Sequence, residues 1–269
     1  MVHGDADINM LEFDCRRYLG WADKDYAWKR SVDEYQRQYA TPYPGEEINV
    51  AREIKTTPIY KKLKEHGAQY IDSYGWERPK WFADKGIKEK YSYKRSNEFD
   101  YVKKECEAVQ NNVGLLDLST FAKYEISGDG SEKFLDRLCA NSIPKNEGSI
   151  VLTHMLNEKA RIQSEITITR LPNNTFYVLS STASELRDLD WFNQNKEKDE
   201  KVTIANITKN YGVLVLSGPK SRTVLSQITD CELSNENFSW LKGKEILIDN
   251  ISVRALRINY VGELGWELH

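Results

Sequence analysis

The chain is poor in the residues that build metal centres and disulfide frameworks. Its four cysteines, Cys15, Cys106, Cys139 and Cys231, and its four histidines, His3, His66, His154 and His269, are scattered through 269 residues. No C-x-x-C pair occurs, so neither a zinc site nor a disulfide scaffold is expected, and the thiols read as reduced structural groups of a reducing compartment. No apolar run approaches the roughly 18 residues of a membrane span. A net charge of −3 supplies no basic field for nucleic acid or anionic lipid. The opening MVHGDADINM has neither an apolar signal core nor an arginine-rich amphipathic leader. G-x-G-x-x-G is missing, so nothing in this chain binds a dinucleotide by itself, and no Ser-His-Asp or Cys-His constellation stands out.

What remains is a globular composition, 40% apolar and 29% charged, enough for one large domain or two ordinary ones. Residues 10 to 40 are rich in aromatics and charge, with helical spacing across Trp28, Val32, Tyr35 and Tyr39. TPYPGEE then breaks the chain. A second helix is expected over PIYKKLKEHG, with Pro58 in its first turn and Gly67 as its cap. GWERPKWFADKG is neither periodic nor helical; its tryptophans suit either a substrate-facing wall or amphipathic anchors sealing two domains. Residues 84 to 98 are charged and poor in aliphatics, which reads as a linker or surface excursion.

A clean pattern begins near residue 100, where Val102, Cys106, Val109 and Val113 mark an amphipathic helix ending at Gly114. An internal echo follows. YEISGDGSEKFLDRL (124–138) and LVLSGPKSRTVLSQI (214–228) share a strand, a Ser-Gly turn, a serine and a helix. Ser131 and Ser221 are expected N-caps; a phosphate loop is discounted because the G-x-x-x-x-G-K-[ST] spacing is absent. Strands are expected at 149–156, 161–170, 175–180, 201–207, 243–249 and 251–260, and a helix over ASELRDLDWFNQN. RIQSEITITR alternates, Ile162, Ile166 and Ile168 against Gln163, Glu165, Thr167 and Thr169. Strands and helices without strict βαβ alternation make the fold class α+β, with duplicated strand–helix subdomains and mainly antiparallel sheets.

Two groups could carry chemistry. Glu165 lies on a strand, where a carboxylate can hold a ring nitrogen or stabilise positive charge on an amine, or can simply be solvated on an exposed face. Tyr260, Glu263, Trp266 and Glu267 sit around Gly262 and Gly265. Those glycines let backbone bend around a flat heterocycle whose N–H edge a glutamate would accept; a hairpin turn over a packed aromatic is the bland alternative.

The stretches HGDADINMLEFDCRRY, YATPYPGEEINVARE, GWERPKWFA, VGLLDLSTFAKYEISG, ANSIPK, HMLNEKARIQSEITITRL and NYVGELGWELH together resemble the dimethylglycine and sarcosine dehydrogenases, essentially from end to end. From about residue 100 the chain is also similar, more distantly, to the aminomethyltransferase (T-protein) of the glycine cleavage system. The resemblance implies a T-protein folate-binding fold and a window of a two-part architecture. Residues 1–85 would be the tail of an FAD-dependent oxidase half, 86–99 a linker and 100–269 the first part of the folate half. On that view the chain is an internal fragment, incomplete at both ends.

The implied chemistry is oxidative demethylation of a small N-methylated amine, dimethylglycine or sarcosine. FAD takes the electrons and passes them to an electron-transfer acceptor, and tetrahydrofolate captures the one-carbon unit as 5,10-methylenetetrahydrofolate. Carried over residue by residue, Ser164, Glu165 and Ile166 would contact folate, with Glu165 catalytic. Tyr260 would stack on or bond to the cofactor, Glu263 would grip the pterin edge, and Glu267, Leu268 and His269 would line the rest. T-proteins carry GG and then two aspartates in this strand, where this chain has AR and SE, so a longer acid in another register supports binding more directly than proton handling. The implied setting is cytoplasmic in a bacterium or the mitochondrial matrix in a eukaryote. Two alternatives stand beside it: a non-enzymatic regulatory subunit of the pyruvate dehydrogenase phosphatase type, and a stand-alone aminomethyltransferase.

Overall fold

A computed structural model describes residues 10, 13–18 and 20–269. The aromatic helix forms as α1 (Lys24–Arg37), started by Asp23, whose carboxylate accepts the Tyr26 N–H at 2.8 Å and satisfies one orphaned donor of the first turn. Its orientation is inverted. Tyr26 is buried, Arg30 pairs with Asp72, and Arg37 reaches Asp33 at 3.2 Å and Glu46 at 2.8 Å. Each apolar residue of the stripe stands two positions on from one of these, a rotation of about 200° around the helix. Trp28, Val32, Tyr35 and, just past the end of α1, Tyr39 therefore face outward, all exposed.

The helix α2 (Tyr60–Glu65) begins two residues beyond Pro58. GWERPKWF, expected to be irregular, is a strand: β2 (Trp76–Phe82) pairs antiparallel with β1 (Ala68–Ser73). A two-stranded sheet leaves each strand a free edge, which accommodates Pro79. Trp76 and Trp81 are both buried, Trp81 with its ring centroid 5.1 Å from that of Tyr101, so they act as anchors and not as a wall. Residues 83–98 form no helix or strand, but Lys80 bridges Glu89 and Glu98 and ties the excursion to the hairpin. The amphipathic helix then follows as α3 (Phe99–Asn111).

From Gly114 onward the internal echo becomes two matching sheets. The strands are β3 (Gly114–Asp117), β4 (Ala122–Ser127), β5 (Ile150–Leu156), β6 (Ile162–Leu171), β7 (Thr175–Ser180), β8 (Thr203–Asn206), β9 (Leu214–Ser217), β10 (Gly243–Ile248), β11 (Ile251–Leu256) and β12 (Gly265–Leu268). One sheet runs β5-β6-β7-β4-β8 and the other β10-β11-β12-β9-β3, every neighbour antiparallel. In each, a hairpin is followed by a third strand, then by the strand that feeds a helix: α4 (Ser131–Leu138) after β4, α6 (Ser221–Leu225) after β9. A further helix, α5 (Glu185–Asn195), packs on the first sheet through Phe192.

The Ser-Gly turns explain the repeated motif. Gly128 and Gly218 have φ of +116° and +127°, and a Cβ on them would meet the Lys201 carbonyl oxygen at 2.1 Å and the Asn112 carbonyl oxygen at 2.6 Å. The serines are not caps. Ser131 and Ser221 are the first helical residues, and their hydroxyls donate to the carbonyls of Asn174 at 2.6 Å and Leu264 at 2.9 Å. They tie each helix to the loop before the third strand, where the Leu264 carbonyl also accepts the Gly218 N–H at 2.8 Å.

Three cores result. Ile126, Phe134, Ile166, Ile168 and Phe176 fill the first sheet's helix side, Leu216, Leu225, Phe238 and Trp266 the second's, and Ile150, Tyr177, Leu179, Leu256 and Ile258 join strands of both sheets. That third core corrects the simple alternation expected of β6. Thr167 and Thr169 are buried although they lie opposite Ile166 and Ile168, while Ile162 is 64% exposed. Glu165 stands where the covered part of the strand ends.

Candidate functional site

The hairpin of β5 and β6 turns at Asn157, whose side chain accepts the Lys159 and Arg161 N–H groups at 3.0 Å. A one-residue register shift between Met155 and Leu156 then makes His154 and Glu165 cross-strand partners, Nε2 to Oε2 3.1 Å. The other oxygen of Glu165 accepts the Tyr260 hydroxyl at 2.8 Å. Tyr260 comes from the glycine-marked turn between β11 and β12. That turn is anchored by Asn259, which donates from Nδ2 to Ser217 Oγ at 2.5 Å and accepts the Val261 N–H at 2.9 Å. Desolvation of the phenol and the adjacent Glu165 carboxylate push the Tyr260 pKa up to about 12, so it is a hydrogen-bond donor at neutral pH. Its ring stays largely exposed. Glu263 is half-buried in the same turn, with no hydrogen-bond partner among the described residues.

A second polar group lies deeper. His269 is buried, its Nε2 3.2 Å from Glu267 Oε2 and its Nδ1 2.9 Å from the Tyr177 hydroxyl. With Glu267 ionised, one tautomer satisfies both contacts: Nε2–H donates to the carboxylate, and Nδ1 accepts from the tyrosine. Burial holds the imidazole below its ordinary pKa and raises that of Tyr177 far above the phenol range. The Arg254 guanidinium lies 4.6 Å from the Tyr177 ring centroid. Leu268 packs beside the second core.

The expected residues thus divide. Glu165 and Tyr260 meet, and Glu267 and His269 meet. Ser164 and Ile166, expected beside Glu165 as cofactor contacts, turn their side chains the other way. Ser164 Oγ donates to the buried Asp188 at 2.8 Å, and Ile166 is 1% exposed in the first core. Side chains alternate across a strand, so these two support β6 from behind.

His154 was missed as a partner of Glu165. A hairpin closing between residues 157 and 161 would by itself set 154 opposite 164; the one-residue register shift between Met155 and Leu156 brings Glu165 opposite His154 instead, and no sequence signal marked that bulge. Lys123 was also missed. It is wholly buried, its ammonium donating to the carbonyls of Ser119 and Phe121 at 2.8 Å, and burial depresses its pKa to about 8.

Chemically, the outer group is an acceptor-rich site. Glu165 has one donor on each oxygen and lone pairs to spare, Glu263 is unengaged, and Tyr260 offers a flat exposed ring. Among the described residues no cluster of three or more His, Cys, Asp or Glu could hold a metal ion, and no helix is long and apolar enough to cross a membrane.

The paired antiparallel sheets and their helices are those of the glycine-cleavage aminomethyltransferases. The crystal structure of the aminomethyltransferase T from Bartonella henselae superposes with a TM-score of 0.64 at 22% identity, covering 80% of this chain and 53% of that one. The chain belongs to the family described as the GCVT N-terminal domain, whose sequence profile matches residues 59–269, and residues 3–57 match the FAD dependent oxidoreductase central domain. Dimethylglycine dehydrogenase, mitochondrial, from Rattus norvegicus is 36% identical over all of this chain and 32% of its own length. Sarcosine dehydrogenase of Homo sapiens and the pyruvate dehydrogenase phosphatase regulatory subunit of Mus musculus, both mitochondrial, are each 27% identical over the whole chain, covering 34% and 32% of their lengths. The chain spans about a third of the length of these curated relatives.

Proposed function

We propose that this chain supplies the folate-handling part of a flavin- and folate-dependent dehydrogenase of dimethylglycine or sarcosine. The observation that carries the reading is the Tyr260–Glu165 contact, which joins the glycine-marked turn to β6 on a T-protein fold. The donor set fits a reduced pterin. Glu165 is an acceptor with open lone pairs, Glu263 is a second acceptor without a partner, and both suit an N–H edge, while Tyr260 presents a face for stacking.

In this reading tetrahydrofolate, when bound, supplies the nitrogen that takes up the one-carbon unit. Glu165 and Glu263 hold the pterin, and the fixed negative charge of Glu165 stabilises cationic character developing close to it. The His154 and Tyr260 hydrogen bonds keep that carboxylate in one orientation, so positioning is the main contribution of the protein. Glu267 and His269 form the inner wall, while Leu268, expected beside them, turns to the second core and supports the strand from behind. FAD belongs to an oxidoreductase module to which residues 1–85 contribute the tail, with 86–99 as linker and 100–269 as folate portion. The electrons leave to an electron-transfer acceptor. The setting is the mitochondrial matrix in a eukaryote or the cytoplasm in a bacterium.

Calorimetric titration of tetrahydrofolate into the 269-residue protein tests the reading. Saturable binding at one site per chain is expected. No heat at high micromolar ligand would overturn it and favour a non-catalytic regulator.

A further inference from the structure

We propose that Arg222 and Arg257 form a binding site for a phosphate dianion, free or as a small monoester, where the first half of the duplication carries its own carboxylate. The two halves correspond residue for residue here. Arg170 and Arg257 occupy one position. Gly148 N–H donates to the Arg170 carbonyl and Arg170 N–H to Ser149, as Leu241 N–H donates to the Arg257 carbonyl and Arg257 N–H to Lys242. Glu132 and Arg222 occupy another, each the second residue of its helix after the repeated serine. In the first half the pair is complementary: Arg170 Nη1 donates to Glu132 Oε2 at 2.6 Å and to the Pro144 carbonyl at 3.1 Å. In the second half Arg257 Nη1 still donates to a loop carbonyl, that of Phe238, but the acid has become a second arginine.

One neutral oxygen stands between the two guanidiniums. Asn235 Oδ1 accepts from Arg222 Nη2 at 2.8 Å and from Arg257 Nη2 at 2.7 Å. Neither guanidinium meets a carboxylate among the described residues, and each keeps a buried Nε–H without an acceptor. Arg257 is only 9% exposed, and burial together with the Arg222 charge holds its pKa below the ordinary guanidinium value. A buried cation without a counter-charge is costly. The buried Trp266 ring lies 5.9 Å from Arg222 and 5.7 Å from Arg257, and a ring face attracts cations without neutralising them. Asn235 is exposed on the loop between α6 and β10, so its side chain can swing out and yield its place to a ligand oxygen. Guanidinium forks match the oxygens of phosphate, and two cations with no acid suit a dianion better than a single carboxylate. The site uses none of Glu165, Tyr260 and Glu263 and does not depend on folate binding.

The test is thermal denaturation of the 269-residue protein in rising inorganic phosphate, against sodium chloride at matched ionic strength. Saturable stabilisation above the chloride baseline is expected, with a change in tryptophan emission because Trp266 lies against both cations. Arg222→Gln, at a half-buried side chain, should weaken phosphate binding by roughly tenfold or more. Arg222→Glu rebuilds the pair of the first half, so it should raise the melting temperature without phosphate and abolish the response to it. Glycerol phosphate separates the two sources: tighter binding than inorganic phosphate assigns the site to a monoester, and weaker binding assigns it to the free ion. Phosphate acting no better than chloride, acetate acting as well as phosphate, or an undiminished phosphate response in Arg222→Gln would each overturn the proposal.

Discussion

The Tyr260 hydroxyl and Glu165 Oε1 are 2.8 Å apart although 95 residues separate them in the chain. The contact draws the turn between β11 and β12 over the end of β6, and it puts an aromatic ring beside a carboxylate whose second oxygen His154 holds. The site is thus a product of both sheets.

Replacing Glu165 by Gln keeps the shape and removes the charge. Hydrogen bonds to charged groups contribute about 1.5–3 kcal/mol, so the dissociation constant for tetrahydrofolate should rise about tenfold to a hundredfold. Tyr260→Phe, which removes one neutral donor and retains the ring, should cost about fivefold. Calorimetry measures both, and far-ultraviolet circular dichroism should show no change in either variant. Equal affinities for wild type and Glu165→Gln would remove Glu165 from the site.

His154→Ala should leave stability within about 1 kcal/mol, because the pair with Glu165 is solvent-exposed. It should still weaken tetrahydrofolate binding by severalfold, since the carboxylate gains freedom. His154→Gln, which retains a donor, should recover most of the loss. A stability loss in His154→Ala without an effect on affinity would make the pair purely structural.

Lys123 gives a pH dependence with a definite sign. Its pKa is depressed from 10.5 to about 8 by burial, so between these values the unfolded chain holds a proton that the folded chain has released. Stability therefore rises with pH through this window, and below it the cost of the buried ammonium is fully present. Chemical denaturation between pH 8 and 10 should show the rise, and Lys123→Met should flatten it.

Gly128→Ala and Gly218→Ala should each destabilise by about 3 kcal/mol or more, combining left-handed backbone with a Cβ pressed on a carbonyl oxygen. The 2.1 Å approach at Gly128 against 2.6 Å at Gly218 predicts the larger loss at Gly128. Thermal melts of the two variants check the ranking.

Local chemistry made much of this legible in the sequence. The Ser-Gly-x-x-Ser echo marked two strand–helix units, and the alternation of RIQSEITITR marked β6. Long-range pairing was not legible. Thr167 and Thr169 looked like a solvated face because their cover comes from the other sheet. Ser131 and Ser221 looked like caps because the carbonyls they serve, Asn174 and Leu264, lie 43 residues further along in each copy. GWERPKWF hid a strand because its ladder partner β1 lies outside the motif and its other side is bridged only at Trp76, by Lys55, among the described residues. At the site, Glu165 and Tyr260 were each found from their own neighbourhoods, whereas His154 needed the register.

The duplication also fixes how many acidic sites one chain can offer. Through the third strands, Ser127↔Thr175 answers to Ser217↔Gly265, and Ile168↔Val178 to Ala255↔Leu268. The positions answering to His154 and Glu165 are then Leu247 and Ser252, which face each other across the second hairpin. A hydrocarbon and a short hydroxyl occupy them. The two halves share a scaffold but not an endowment, so the folate reading expects a single ligand for each pair of sheets.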